Sequence, residues 1–254
     1  MPALSKDDFR DFLDAAYDKY NRPDFITSDP ISIPHLFTKK EDIEISAFLA
    51  ATIAWGQRPT IIGNAKKLVH IMDLSPYDFV MQATEKDLLR LENFKHRTFN
   101  AVDLSFFIYS LRNIYAEHGG MEKVFSEKKN IKEALIHFNK VFFSIPHPKR
   151  TEKHVSNPAA GSAAKRLNMF LRWMVRNDKR GVDFGLWKTI SPSQLYCPLD
   201  VHSGNVARKL KLLKRKQNDW LSAEYLTKAL RKFDAADPVK YDFALFGLGV
   251  FEKF

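Results

Sequence analysis

The chain has 254 residues, 45% of them hydrophobic and 21 of them Phe, enough apolar material for one large domain or two closely packed subdomains. Lys and Arg number 40 against 30 Asp and Glu, a formal charge of +10, so the surface favours polyanions, nucleic acid ahead of an anionic membrane. A single cysteine, Cys197, excludes an internal disulfide and a cysteine-built zinc or iron–sulfur site, and no metal or cofactor is expected.

At the N-terminus, MPALSKDDFRDFL has no signal-peptide core. No apolar run reaches the ~20 residues needed to span a bilayer. A cytoplasmic monomer without membrane contact is the expectation. Ser5 is placed to cap a first helix, with Asp7 and Asp8 in its first turn and Phe9, Phe12, Leu13 and Ala16 as its apolar stripe. Pro23, Pro30 and Pro34 then predict a loop that cannot hold a helix. From Glu41 or Asp42, the residues Ile45, Phe48, Leu49, Thr52 and Ile53 recur at helical spacing among alanines, which predicts a deeply buried helix ending near Trp55. Further helices are predicted over 60–72, 76–91, 101–118 and 131–143, with Gly119-Gly120 closing the third. Residues 146–158, rich in Pro, His and Lys, read as an exposed loop. An amphipathic helix follows over 161–177, with Leu167, Phe170, Leu171 and Met174 at i, i+3, i+4, i+7. After an irregular stretch to Leu199, helices over 203–212, 222–233 and 238–248 complete the chain. No alternating strand pattern is found. The fold class is therefore all-α, in two helical subdomains with a cleft between them: one about 35–145, the other about 1–34 plus 146–254.

Chemistry concentrates in the last third. In GSAAKRLNMF, Gly161 and the small residues after it permit close backbone approach at a helix start, where free N–H groups suit a phosphate. On a helical wheel, Lys165 shares its face with Met169, Arg172 and Arg176, a basic face predicted to look outward. A lysine in the first turn opposes the helix dipole, which favours the neutral amine that a nucleophile requires. The bland reading is a solvated lysine face. Asp200 precedes the helical run Val206, Ala207, Leu210, Leu213, so Asp200 or Ser203 reads as an N-cap or, functionally, as a carboxylate at the mouth of a cleft. Residues 205–217 hold six basic side chains (Arg208, Lys209, Lys211, Lys214, Arg215 and Lys216) and no acid. These suit phosphates or a solvated helix face about equally.

The segment PLDVHSGNVARKL resembles the V-D-T-H-x-x-R-V-x-x-R-L stretch of the helix-hairpin-helix DNA glycosylases, which holds their catalytic aspartate. Asp200 takes that place and His202 keeps the D-x-H spacing. Upstream, those enzymes carry L-P-G-V-G-x-K, whose lysine is the nucleophile of the bifunctional members. Lys165 matches that lysine, Gly161 the first glycine and Ala163 the second. FLAATIAWGQRPTIIGNAKKL resembles the family's buried helix ending in S-x-Q, and Gln57 matches a glutamine that probes the gap left by a flipped base. The three segments keep the family's chain order over residues 45–210. The hairpin is degenerate here, Asn205 stands where an arginine is common, and the 35 residues from Lys165 to Asp200 resemble the long spacing of the archaeal 8-oxoguanine glycosylase branch. The cysteines of the endonuclease III branch are absent. The C-terminal DPVKYDFALFGLG resembles a signature of uncharacterised bacterial proteins with a domain of unknown function.

What the resemblance implies is base-excision repair. A base in duplex DNA must be flipped out before its glycosidic bond can break. Lys165 would attack the sugar C1′ to form a Schiff base, and Asp200 would stabilise the cationic sugar and help deprotonate the lysine. The expected partner is double-stranded DNA carrying a damaged base, an oxidised purine such as 8-oxoguanine. Gln57, Arg58, Gly161, Ser162, His202, Arg208, Lys209 and Lys211 are the expected DNA contacts. Trp55, Trp173 and Trp187 offer stacking platforms, though each is more often core. Three rivals stand beside this reading: a non-catalytic relative that binds DNA damage, an RNA-binding protein, and an interaction protein whose charge only keeps it soluble.

Overall fold

The computed structural model describes residues 6–254. Ser5, the expected first cap, lies outside the described residues. The chain divides into two compact units. One is continuous, Ile26–Asn157, and the other joins the chain up to Phe25 with Pro158–Phe254.

The chain opens with α1 (Lys6–Tyr20), with Asp7 and Asp8 in its first turn. The prolines at 23, 30 and 34 do not exclude helix as expected; each begins a short helical turn. They start α2 (Pro23–Thr27) and the 3-10 turns Pro30–Ser32 and Pro34–Leu36. A proline at the first helical position loses no bond, because that N–H has no partner in any case.

In the continuous unit, α3 (Lys40–Thr52) is buried from Ile43 to Thr52, as its small and apolar residues predict. After α4 (Arg58–Ile71), the single helix expected over 76–91 is two: α5 (Pro76–Gln82) and α6 (Glu85–Leu89). Thr84 separates them by forming a reciprocal capping box with Asp87. A two-residue hairpin that the sequence did not suggest follows, β1 (Lys95–His96) paired antiparallel with β2 (Phe99–Asn100). Asn100 then caps α7 (Ala101–Glu117), and α8 (Met121–Ser126) and α9 (Ile131–Phe142) complete the unit. Its centre is aromatic: Phe107 lies 4.8 Å from Phe142 and 5.8 Å from Phe48, and Phe125 stacks on Phe138 at 4.4 Å. The expected exposed loop at 146–158 contains a 3-10 turn, Lys149–His154, whose Thr151 and His154 are buried. The cause is Asp103, fully buried on α7, which accepts from Thr151 Oγ1 at 2.9 Å and faces His154 Nε2 at 3.3 Å.

The second unit holds α10 (Lys165–Val175), α11 (Val201–Lys209), α12 (Trp220–Leu230) and α13 (Tyr241–Phe251) along with α1. Both α1 and α11 pack on α13. Gly247 permits the first contact, since a Cβ there would lie 2.1 Å from Tyr20 Cδ2. Trp173 and Trp187 are buried in this core, Trp187 edge-on to Phe170, so neither is a platform for a base. Among the described residues no helix is long and apolar enough to cross a membrane.

Candidate active site

The start of α10 is set by its backbone. Gly161 has φ +82° and Ala164 φ +47°, the left-handed region where a non-glycine residue costs about 1–3 kcal/mol. Local bonds hold them there. Ser162 Oγ accepts from the Ala164 N–H at 3.1 Å, and Asn168 Nδ2 donates to the Ala163 carbonyl at 3.0 Å. Gly161 is further pinned by the Trp220 N–H at 3.0 Å, with Ser162 bridging to Asp219. Lys165 is consequently the first residue of the helix, fixed at its base and with its side chain partly exposed.

Asp200 is fixed from the other side. It caps α11, with Oδ1 accepting from the Ser203 N–H at 2.9 Å while its own N–H donates to Ser203 Oγ at 3.0 Å. That leaves Oδ2, which lies 3.8 Å from Lys165 Nζ, with both side chains about a quarter exposed. The sequence alternatives of cap and functional carboxylate are thus both realised, one on each oxygen. The separation is an ion pair without a tight hydrogen bond. A partly hydrated pair of this kind is worth about 1 kcal/mol or less, so stability gives little reason for it.

Behind this pair lies a charged layer that periodicity misplaced. The face of α10 expected to look outward does not: Met169, Arg172 and Arg176 are all buried. Arg172 donates to Asp242 at 2.5 Å and faces Asp183 at 3.3 Å. Arg176 reaches Asp183 at 3.0 Å, Asp237 at 2.8 Å, Asp178 at 2.8 Å and the Tyr17 hydroxyl at 2.7 Å. Four carboxylates from elsewhere in the chain make burial of two guanidinium groups tolerable. Asp242, on the first turn of α13, is the member nearest the chemistry. Burial raises it to about 6, opposed by Arg172, reinforced by the negative charge of Asp200 and opposed again by Lys165. Cys197 Sγ lies 4.0 Å from Asp242, and burial holds that thiol well above its ordinary range, so it stays protonated and unreactive. The sequence reading did not name Asp242, although it sits inside the DPVKYDFALFGLG signature already singled out. Among the described residues no group of three or more His, Cys, Asp or Glu is arranged to hold a metal ion.

The remaining expected contacts fall in several places. Gln57 and Arg58 belong to the continuous unit, Gln57 exposed at the N-cap of α4 and Arg58 half-buried as its first residue. Gly161 is exposed and Ser162 half-buried. His202, Arg208 and Lys209 line one pocket of about 460 Å³ beside Phe254. Arg208 also braces the loop after α11, donating to the carbonyls of Arg215 and Lys216, each at 2.8 Å, and to Asn218 Oδ1 at 2.6 Å. Lys211 instead lines a second groove against α12.

A predominantly helical chain carrying a Lys–Asp pair at facing helix starts is the class that fold and site define. Its family is shown by a family model, described as a protein of unknown function (DUF2400), that matches residues 29–251; the chain belongs to that family. No curated protein and no solved structure matches it.

Proposed function

We propose that this protein is a DNA-repair glycosylase with lyase activity, acting on an oxidised purine such as 8-oxoguanine, in a helix-hairpin-helix glycosylase-like fold. The observation that carries the reading is the approach of Lys165 Nζ to Asp200 Oδ2 at 3.8 Å across 35 residues of chain. The resemblance assigns nucleophile and carboxylate to these two residues, and it does so without knowledge of their distance. Neutral Lys165 attacks the sugar C1′ as the glycosidic bond breaks, the departing base takes the bonding pair, and the lysine's proton leaves through Asp200. The anchored Oδ1 keeps the carboxylate in place while Oδ2 faces the cationic sugar. Opening of the sugar ring then gives the imine, whose β-elimination nicks the strand.

Borohydride tests this directly. It should trap a covalent protein–DNA adduct on a duplex containing 8-oxoguanine and none on the intact duplex. Lys165→Gln should abolish trapping while leaving DNA binding within about twofold, since one phosphate contact among several contributes little. Asp200→Asn should slow base release by roughly 100-fold or more with the fold kept, because Asn caps a helix about as well as Asp. An adduct that persists in Lys165→Gln, or its absence across a panel of damaged bases, overturns the assignment.

A further inference from the structure

The loop after α11 and one face of α12 form a groove of about 630 Å³. Its cations are Lys211, Lys214, Arg215, Lys228 and Lys232, and none of its lining side chains is acidic. Arg215 is paired with Asp219, whereas the four lysines make no ion pair among the described residues. Tyr225, 51% exposed, lines the same groove together with Leu212 and Ala229. Tyr225, Lys228 and Ala229 follow one another at i, i+3 and i+4 on one face of α12, and Lys232 joins them from the turn that closes the helix.

The rim of the groove is stiff. Arg208 ties down the carbonyls of residues 215 and 216 and the side chain of Asn218, and Lys211 is held at φ +59°. A merely solvated lysine face needs neither a braced loop nor an exposed aromatic ring among its charges. Duplex DNA offers phosphates to such a groove but keeps its base faces stacked and out of reach of a tyrosine. A single strand offers both, a phosphate for each lysine and a base face for the ring.

We propose that this groove binds single-stranded DNA, with a base stacked on Tyr225 and flanking phosphates on Lys211, Lys214, Lys228 and Lys232. The choice of DNA over RNA rests on the catalytic reading of Lys165 and Asp200, because α11 links the two places: Asp200 caps its start and Lys211 follows its end. Nine residues of helix span about 13 Å, the length of roughly four stacked nucleotides of one strand. The groove therefore takes the strand a few nucleotides from the position of the excised base, where a lesion beside a gap, bubble or overhang leaves it unpaired.

Fluorescence anisotropy with an undamaged, labelled deoxythymidine strand of about 15 nucleotides tests this between roughly 50 and 300 mM salt, beside a duplex of equal length, a matched uridine RNA and poly-glutamate as competitor. No chemistry is involved, so the result stands apart from the fate of the trapping experiment. Tyr225→Ala should weaken single-strand binding about 5- to 100-fold without changing its salt slope, and Tyr225→Phe should restore it. The double substitution Lys228→Ala, Lys232→Ala should flatten the slope by about 1.4, at roughly 0.7 per lost phosphate. All of these positions are exposed, and thermal melting confirms that the variants are folded. Wild-type affinity in both the tyrosine and the lysine variants overturns the proposal. So does equal competition by poly-glutamate, which would mark a generic polyanion surface, or a tenfold preference for RNA.

Discussion

Two stretches of this chain look equally basic and come to opposite ends. The α10 face carries Lys165, Arg172 and Arg176, and the run after Asn205 carries six cations. Arg172 and Arg176 are 4% and 1% exposed, each held by two or more carboxylates. Lys211 and Lys214 stand at the surface along a groove with no acid in its lining. What separates the two is the placement of acids outside the basic segment itself. Asp183, Asp237 and Asp242 come back to α10, and nothing comparable comes back to these lysines among the described residues. A cluster of positive residues thus says nothing of its partner until the acids are located. Where they are absent, the charge remains available to a phosphate.

The comparison breaks most readily at Arg176. Arg176→Ala leaves the half-buried Asp237 without its counter-charge and the buried Asp183 with Arg172 alone, and should cost about 3–5 kcal/mol, read as a fall in the midpoint of chemical unfolding. Asp242 gives a subtler test through pH. Its folded value is raised to about 6 from an ordinary 3.8, so between those values the unfolded chain has already released a proton that the folded protein keeps. Stability from this group therefore falls as pH rises through that window, by about 3 kcal/mol in full, and stays low above it. Asp242→Asn removes the effect: its Tm relative to wild type should climb from about pH 4 to about pH 7, and a flat difference would deny the buried charge. On the exposed side, replacing Lys209, Lys211 and Lys214 together should weaken duplex binding and lower the salt slope by up to about one unit per lost phosphate. Because Lys209 lines a different pocket from the other two, Lys209→Ala alone should change that slope without touching single-strand binding. Smallest of all, Lys214→Ala should leave thermal stability within about 0.5 kcal/mol, the mark of a side chain that the fold does not use.

Local rules carried much of the structure. The buried α3, the amphipathic stripe of α10 and the cap at Asp200 each follow from residues within one or two turns of each other, and each was legible. The splitting of 76–91 was legible too, in the Thr84-x-x-Asp87 capping box, but the apolar pattern running through it drew the reading the other way. The orientation of α10 was not legible. A helical wheel assigns Arg172 and Arg176 to solvent because it weighs a guanidinium as polar, and it has no place for Asp237, 61 residues from Arg176, or Asp242, 70 residues from Arg172. The same limit applies to the site. Chain order placed Lys165 and Asp200 in one family pattern, but only the folded chain brings them to 3.8 Å and sets Asp242 behind them. The sequence reading took 222–233 only as a helix, and the meaning of Tyr225 and Lys228 on it depends on the loop that folds against them.

The contact between α1 and α13 carries a consequence in time. Tyr20 donates to Glu252 at 2.5 Å across 232 residues, and the same ring fills the hollow left by Gly247. At roughly 5–20 residues per second, a ribosome needs about 10 to 50 seconds to deliver the second half of that contact after the first. The continuous unit can complete itself in that interval; α1 cannot. Phe9 and Phe12 of its apolar stripe must wait for Phe233 and Phe254, so the newborn helix stays open to a chaperone until the last turns of the chain emerge.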